Sequence, residues 1–298
     1  MSSPRAVVVS RPTELEHLVA RHGTREQARF ALRARGQDLG EVEARHERFL
    51  RVMTAASQAI PSGWRRSRVA RDDLCRFVWD PGDVVVVIGQ DGLVANVAKY
   101  LAGQPVIGIN PDPARIDGVL VAFGVEALEA LLPRAAAERA RIEERTLVQA
   151  EVDDGQRLRA LNEVFIGHRT HQSARYRLRS RGLEERQSSS GLIVATGTGA
   201  TGWARSIAQE RAAPAPLPAP ADRALAFFVR EAFPSKSTGT ALTSGALGPD
   251  DVLELTSELD DGGVVFGDGI EDDRLKVGWG MKVRVRCARE RLRLVVGG

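Results

Sequence analysis

Cysteine is almost missing from this 298-residue chain: only Cys75 and Cys287 occur, far apart and without C-x-x-C spacing. That excludes a disulfide framework and a cysteine-built zinc site, and makes a reducing, cytoplasmic setting the expectation. Aromatic residues are scarce at 5%, and no Lys/Arg tract interleaved with aromatics occurs, so nucleic acid is not an expected partner. An excess of one charge is lacking too, with 42 basic against 39 acidic residues. No apolar run approaches a membrane span, and the run in "MSSPRAVVVSRPTELEH" is far shorter than a secretory h-region. No membrane partner is expected. What remains is ample apolar content, 43% of residues, enough to build the core of one large or two ordinary domains.

"RAVVVS" reads as a first strand. Three helical segments follow: "PTELEHLVARHG", "TREQARFALRARG" and "LGEVEARHERFLRVMTAASQAI". The first two end in Gly, and Thr24 is placed to cap the second. His46 falls on the apolar stripe of the third and reads as a packed or edge-of-face residue. After the break at "PSGW" come a strand at 84–88, a turn "GQDG", an amphipathic "LVANVAKYLAG" and a strand "QPVIGIN". This alternation predicts an α/β layer with a parallel sheet, closed by a helical "VEALEALLPRAAAERARIEE". From about residue 145 short strand-like runs dominate: "TLVQAEV", "RALNEVFIG", "SARYRLR", "SGLIVAT", "ALAFFVR", "DVLELTSEL", "GGVVFGDG", "KVRVRCA" and "RLRLVV". The expectation is an α/β domain over 1–144 and a β-rich, β-sandwich-like domain over 145–298, whose last strands are candidates to return to the first domain. A short helix near 201–209 is followed by "AAPAPLPAPAD", read as a stiff extended loop.

Two glycine turns carry the chemistry. In "SGLIVATGTGATGWARSI", Gly197, Gly199 and Gly202 spell G-x-G-x-x-G between a strand and a helix, the nominal dinucleotide fingerprint. The pattern also requires a long crossover helix, a second parallel strand and an acid at that strand's end. Here the proline tract cuts the helix short, and Asp222 precedes the next strand instead of ending it, which argues against a hydride-carrier site. Thr196, Thr198 and Thr201 place hydroxyls around the glycines, a combination that lets backbone and hydroxyls approach a ribose or adenine; a plain tight corner is the simpler alternative.

The second turn, "VVVVIGQDGLVANVAKYL", leads from a strand into a helix whose first amides suit a phosphate. Asp91 is its odd member, since a carboxylate repels phosphate. It reads either as a helix cap or as a group that accepts or orients the proton of an attacking hydroxyl. Lys99 and Arg115 could add charge nearby but read as solvated surface residues. His168 and His171 in "GHRTHQ" lack further ligands and read as turn residues, and "FGDGIEDD" reads as an acidic turn without calcium-loop spacing.

Taken together, these residues resemble the NAD kinase family and its diacylglycerol- and sphingosine-kinase relatives. "GQDG" is similar to the family's G-G-D-G-T turn, "LNEVFIG" to its Asn-Glu motif, and "TGTGATGW" to its threonine- and glycine-rich loop; "PVIGINPDPARIDGVL" resembles the mitochondrial-type branch. The likeness runs from about residue 84 to the C-terminus, including "VVFGDGI" and "LKVGWGMKVRVRC". It implies an NAD kinase/diacylglycerol kinase-like fold and transfer of a phosphoryl group from ATP, with Mg2+, to the 2′-hydroxyl of the adenosine ribose of NAD. By position it implies Asp91 as catalytic base or orienting carboxylate, with Gly89, Gln90, Gly92 and Asn110 beside the phosphates. Asn162 and Glu163 would hold a ribose diol, and Thr196, Thr198, Gly199, Thr201 and Trp203 would line the adenosine side. The residues themselves offer no metal-ligand set, and the resemblance implies a homodimer or higher homo-oligomer.

Two departures stand out: Gln90 replaces the second glycine of the turn and Leu93 its threonine. They keep two alternatives open, a kinase of nucleosides or sugars on the same fold, and a non-catalytic NAD(P)-binding sensor. Trp203, where many relatives carry tyrosine, retains an aromatic face.

Overall fold

The computed structural model describes residues 3–211 and 215–297. Its chain divides into two compact units: one holds the chain up to Tyr100, Gln104–Glu143 and the end from Arg293, the other Leu101–Gly103 and Glu144–Leu292.

The first unit is built on parallel strands. Its elements are β1 (Arg5–Ser10), α1 (Glu14–His22), α2 (Arg25–Arg33), α3 (Leu39–Ala59), β2 (Arg65–Ala70), β3 (Asp83–Ile88), α4 (Asp91–Ala98), β4 (Pro105–Ile109) and α5 (Leu128–Ala136). The order is β2-β1-β3-β4, all parallel, with the chain's last strand beside β4 through Arg293 and Leu294. Every residue of β3 is buried, as a strand covered on both faces requires. Its one charge, Asp83, is matched by the Arg5 fork, with Nε and Nη2 each donating at 2.6 Å to separate carboxylate oxygens. Met53 and Ala56 of α3, Ile60 just after it, and Leu128 and Leu132 of α5 pack on Ala6, Val86 and Ile107 of the sheet.

The helix starts follow the local chemistry. Thr13 closes a capping box with Glu16, and Thr24 accepts from the Gln27 amide. Two expectations fail here. Strand β2, "RRSRVA", was hidden because it lies at the end of the strand order and keeps its arginines largely exposed. The last helix is shorter than its sequence pattern: Glu138 takes a left-handed φ of 56°, and from Arg141 the chain is strand.

The second unit is a sandwich of antiparallel strands. Its elements are β5 (Arg141–Val152, begun in the first unit), β6 (Arg157–Ala160), β7 (Glu163–His168), β8 (Ala174–Ser180), β9 (Leu183–Ser189), β10 (Leu192–Thr196), α6 (Trp203–Gln209), β11 (Leu225–Val229), β12 (Ser244–Leu247), β13 (Leu253–Ser257), β14 (Gly263–Gly267), β15 (Ile270–Val277) and β16 (Lys282–Gly297). One sheet runs β16-β13-β8-β9 with β5 beside β16 and β6 beside β5; the other runs β12-β11-β10-β7-β14-β15. Between them lies one core in which Val148, Tyr176, Leu178 and Val285 face Val164, Val194, Phe227 and Val265. The alternation of β8, buried at every second residue, shows why: one face meets the core and the other water.

The single run expected over 159–167 is broken at Leu161–Asn162, and the runs "KVRVRCA" and "RLRLVV" are one strand, β16. The acidic "FGDGIEDD" is the tip and outgoing arm of the β14–β15 hairpin, with the acids of β15 mostly turned to solvent. Strands β9 and β12 carried too few apolar residues to be recognised. Part of the proline-rich stretch, 212–214, lies outside the described residues, and 215–219 has no regular structure. Strand β10 pairs antiparallel with β7 on one side and β11 on the other, so the G-x-G-x-x-G turn opens no parallel crossover. That removes the hydride-carrier reading on topology alone. No helix among the described residues is long and apolar enough to cross a membrane.

Candidate functional site

In the first unit the turn 89–92 connects β3 to α4. Gly89 is buried, and a Cβ there would meet Leu93 Cδ2 at 3.1 Å. Gly92 is exposed, and a Cβ built on it would enter open space. Leu93, standing where the family has threonine, is buried in α4 with its side chain against Gly89, and it offers the turn no hydroxyl. Gln90 points outward and is held, its Oε1 accepting from Arg11 Nη2 at 2.8 Å.

Asp91 does not cap its helix; the cap position falls on Gln90, which makes no side-chain cap bond. The carboxylate instead accepts three backbone N–H groups from one loop: Val119 at 3.0 Å on Oδ2, and Leu120 at 2.8 Å and Val121 at 3.1 Å on Oδ1. A carboxylate has about four acceptor sites, so about one remains. Asn110 braces the same loop from the end of β4: its Nδ2 donates to the Ile116 carbonyl at 2.8 Å and its Oδ1 accepts from the Asp112 amide at 3.0 Å. The loop also lies close on the strand, since a Cβ on Gly108 would sit 2.0 Å from the Leu120 carbonyl. Lys99, read as solvated, is buried at the end of α4, its Nζ 5.3 Å from the Tyr100 ring centroid. The α4 helix is buried over nearly its whole length and carries the lysine in with it. Arg115 is exposed.

In the second unit, two sequence motifs 34 residues apart by number, 162 and 196, meet in space. The Thr196 amide donates to the Asn162 carbonyl at 2.9 Å, and the Thr196 hydroxyl donates to the Leu161 carbonyl. Thr196 Oγ1 also accepts from the Thr198 and Gly199 amides at 3.1 and 3.2 Å, so this buried hydroxyl is spent within the chain. Gly199 is required for the approach, because a Cβ there would stand 2.1 Å from the Asn162 carbonyl oxygen. Thr201 is exposed and donates to the Thr198 carbonyl at 3.1 Å. Thr198 differs: its hydroxyl is buried with no hydrogen-bond partner, a condition that points to a ligand or a water.

Glu163 opens β7, half-buried. Burial, and then the nearby charge of Asp268, raise its carboxyl to about 7. Asp268 is the residue that sequence reasoning missed. It sits at the β14–β15 tip with a left-handed φ of 53°, and its carboxylate accepts from the Leu161 amide at 2.8 Å and the Asn162 amide at 2.7 Å, with a longer contact from Glu163 at 3.4 Å. Its own amide donates back to the Glu163 carbonyl at 3.1 Å. An aspartate preceding glycine at a hairpin tip was the available signal, but nothing local names its partners. Trp203 starts α6 and stacks on Phe165 at 6.1 Å and 12°, while the Arg230 guanidinium lies 5.1 Å from its ring centroid. Phe165 stands two residues from Glu163 on β7, so the stack shares the face of the strand that Glu163 occupies. Among the described residues no cluster of three or more His, Cys, Asp or Glu could hold a metal ion.

No protein-family model matches the chain. It is 36% identical over 136 residues to the NAD kinase of Burkholderia cenocepacia (strain HI2424), covering 42% of this chain and 44% of that protein. It is likewise 36% identical over 133 residues to the NAD kinase of Ralstonia nicotianae, covering 42% of this chain and 43% of that one. The aligned region thus spans less than half the length of these curated relatives. Among solved structures, the NAD kinase from Archaeoglobus fulgidus in complex with ATP superposes with a TM-score of 0.58 at 18% identity, over 98% of this chain and 94% of that one. Yeast NADH kinase complexed with NADH gives 0.59 at 14% identity, over 99% and 84%. At those identities the structural likeness shows the fold, an α/β unit with a β-rich partner.

Proposed function

We propose that this chain, a member of the NAD kinase family, transfers the terminal phosphoryl group of ATP to the 2′-hydroxyl of the adenosine ribose of NAD, giving NADP. The observation that carries the reading is the assembly in the second unit. There Asn162 and Glu163 are pinned by Asp268 and by the 196–199 turn beside a buried, unpartnered Thr198 hydroxyl. An amide and a carboxylate side by side can donate to and accept from vicinal hydroxyls, which is what a ribose diol requires. Thr198 supplies one more polar group at the same turn, and Trp203 an aromatic face.

The turn 89–92 serves the phosphates. Gly92 has no packing reason to be glycine, since its Cβ space is open, and glycine costs about 1 kcal/mol in a helix relative to alanine. Close backbone approach by a phosphate supplies the reason. Asp91 retains about one acceptor site after its three amide bonds. We assign that site to the attacking hydroxyl, which Asp91 orients and whose proton it accepts as the phosphoryl group moves. The chemistry is mainly positioning and charge neutralisation. Mg2+ belongs to the donor, carried by its phosphate oxygens as MgATP. A homodimer or higher homo-oligomer and a cytoplasmic location belong to the same reading.

Incubation with NAD and MgATP is expected to yield NADP, and Asp91→Asn to lower turnover by at least ~100-fold, the scale of a lost acid–base group. Because Asp91 also orders the 119–121 loop, NAD binding and thermal stability of the variant are measured alongside. NADP formation unchanged in Asp91→Asn would remove the residue from the mechanism. ADP release with sugars or nucleosides but not NAD would overturn the acceptor.

A further inference from the structure

One sheet of the second unit turns a face to water that the reaction described above does not use. The inward side chains of β8, β13 and β16 supply the core through Tyr176, Leu178, Leu255 and Val285, so alternate residues face outward. The strand register orders those outward residues into rows. One row reads Glu184, Arg179, Glu254, Arg284, alternating in sign as favourable cross-strand pairing requires. The next reads Arg186, Arg177, Thr256, Lys282, three cations and no acid. Arg186 and Arg177 stand directly opposite each other, a like-charge pairing that costs stability.

A cavity of about 330 Å3 lies over these rows. Three cations line it, Arg177, Arg179 and Lys282, and three carboxylates, Glu184, Glu254 and Glu258. The carboxylates are mostly spent. Glu258 accepts from Arg177 Nε at 3.2 Å and Arg186 Nε at 2.7 Å, and Glu254 accepts from Arg284 Nε at 3.1 Å. Arg179 and Lys282 form no ion pair among the described residues, and Glu184 is the one lining carboxylate without one. With Arg186 and Arg284, five cations meet three carboxylates, which leaves the site positive. Trp279 lines the same cavity and is 63% exposed. A set turn presents it: Gly280 takes a left-handed φ of 76°, and its amide donates to the Ser257 carbonyl at 2.8 Å.

From these observations we infer that the cavity binds a small aromatic polyanion, its ring on Trp279 and its anionic oxygens on Arg179, Lys282 and the Nη groups of Arg177. Arginine forks and ammonium donors suit carboxylate and phosphate oxygens alike, and an indole face suits a planar ring. A volume of roughly 300 Å3 is at the lower end of small-ligand pockets. Such a ligand supplies the counter-charge that the row of Arg186, Arg177 and Lys282 lacks. The site lies on the other sheet of the sandwich from the Asn162–Glu163 segment, so its test is independent of the kinase reading.

Calorimetric titration of the full chain with two tricarboxylates decides it: trimesate, built on a benzene ring, and tricarballylate, built on an open propane chain. Wild type is expected to bind trimesate about 5–10-fold more tightly, the scale of one stacking contact. Trp279→Ala should erase that difference and leave tricarballylate binding as it was. Lys282→Ala and Arg179→Ala should each weaken both compounds by ~10-fold, as a lost charge-assisted hydrogen bond does. Glu184→Gln removes the opposing carboxylate and should tighten both. Arg35→Ala, which takes an exposed charge from the other unit, should change neither. No saturable binding of either compound at millimolar concentration overturns the site, and so does an equal loss in Arg35→Ala and Lys282→Ala. Equal binding of the two compounds by wild type overturns the aromatic ligand.

Discussion

Two glycine-containing turns follow a buried strand in this molecule, one in each unit, and they use glycine for opposite reasons. At 197–199 the glycines make room for the protein itself: Gly197 lies against the Ala219 carbonyl and Gly199 against that of Asn162. At 92 the glycine faces open space, and its neighbour Asp91 reaches back to hold a loop some thirty residues downstream. The first turn is a packed joint, closed by Thr196 and tied to Asp268. The second is an open edge, braced from behind and bare in front. Fold and function can therefore be separated residue by residue: substitutions at the joint should damage stability, and those at the edge activity.

The largest effect is expected at the joint. Gly199→Ala places a methyl 2.1 Å from a backbone oxygen, an overpacking that no rotamer relieves. A loss of at least ~3 kcal/mol is expected in chemical denaturation, and a value below ~1 kcal/mol would show that the two segments are not in the contact described. Asp268→Ala comes next, exposing three amides of the Asn-Glu segment without their acceptor. A loss of about 2–3 kcal/mol is expected, together with a raised KM for NAD. Asp268→Asn keeps one acceptor oxygen and should recover part of both.

How much of this was legible in the sequence depended on whether a signal was local. The valines of β3, the Thr24 cap and the apolar content of β8 are short-range patterns, and they announced their elements. Strand β2, with three arginines in six residues, and β15, "IEDDRLKV", look like loops because their stability comes from a neighbouring strand and not from their own apolar content. The motifs at 89–92, 162–163 and 196–203 could be read as chemistry. What supports them could not, because Asp268 acts on amides 105 to 107 positions away and Arg11 on a side chain 79 positions away. That Asp91 holds the 119–121 loop and does not cap its helix was likewise out of reach, because no spacing links the two segments.

Glu163 supplies a third, intermediate test, since it lies in the joint but is assigned to ligand. Its carboxyl is raised to about 7 from 4.5, so its ionisation opposes folding. The sign follows from proton uptake: the folded state binds the proton more tightly, so the stability this contributes is complete below pH 4.5 and is lost as pH rises through about 7. Glu163→Gln, which cannot ionise, should gain on the order of 2 kcal/mol relative to wild type between pH 5 and pH 8. Denaturation midpoints that track wild type at both pH values would contradict the shift. Ligand binding runs the other way. A diol is accepted by the carboxylate, so KM for NAD should fall in wild type as pH rises through 7, and the slope should flatten in the variant.

The smallest effect on stability is expected at the open edge, and it discriminates most. Gly92→Ala adds a methyl where no atom lies within 4 Å, in the first turn of α4, where alanine is the better helix former by up to ~1 kcal/mol. The variant is expected to be as stable as wild type or slightly more so, by a few tenths to ~1 kcal/mol. Its turnover with MgATP should nevertheless drop by ~10-fold or more, because the methyl occupies the approach assigned to phosphate. A glycine that merely eased a turn would give the reverse pair of results, lower stability with turnover preserved. Unchanged turnover in a stable Gly92→Ala protein would erase the difference between the two turns and move the phosphate site away from 89–92.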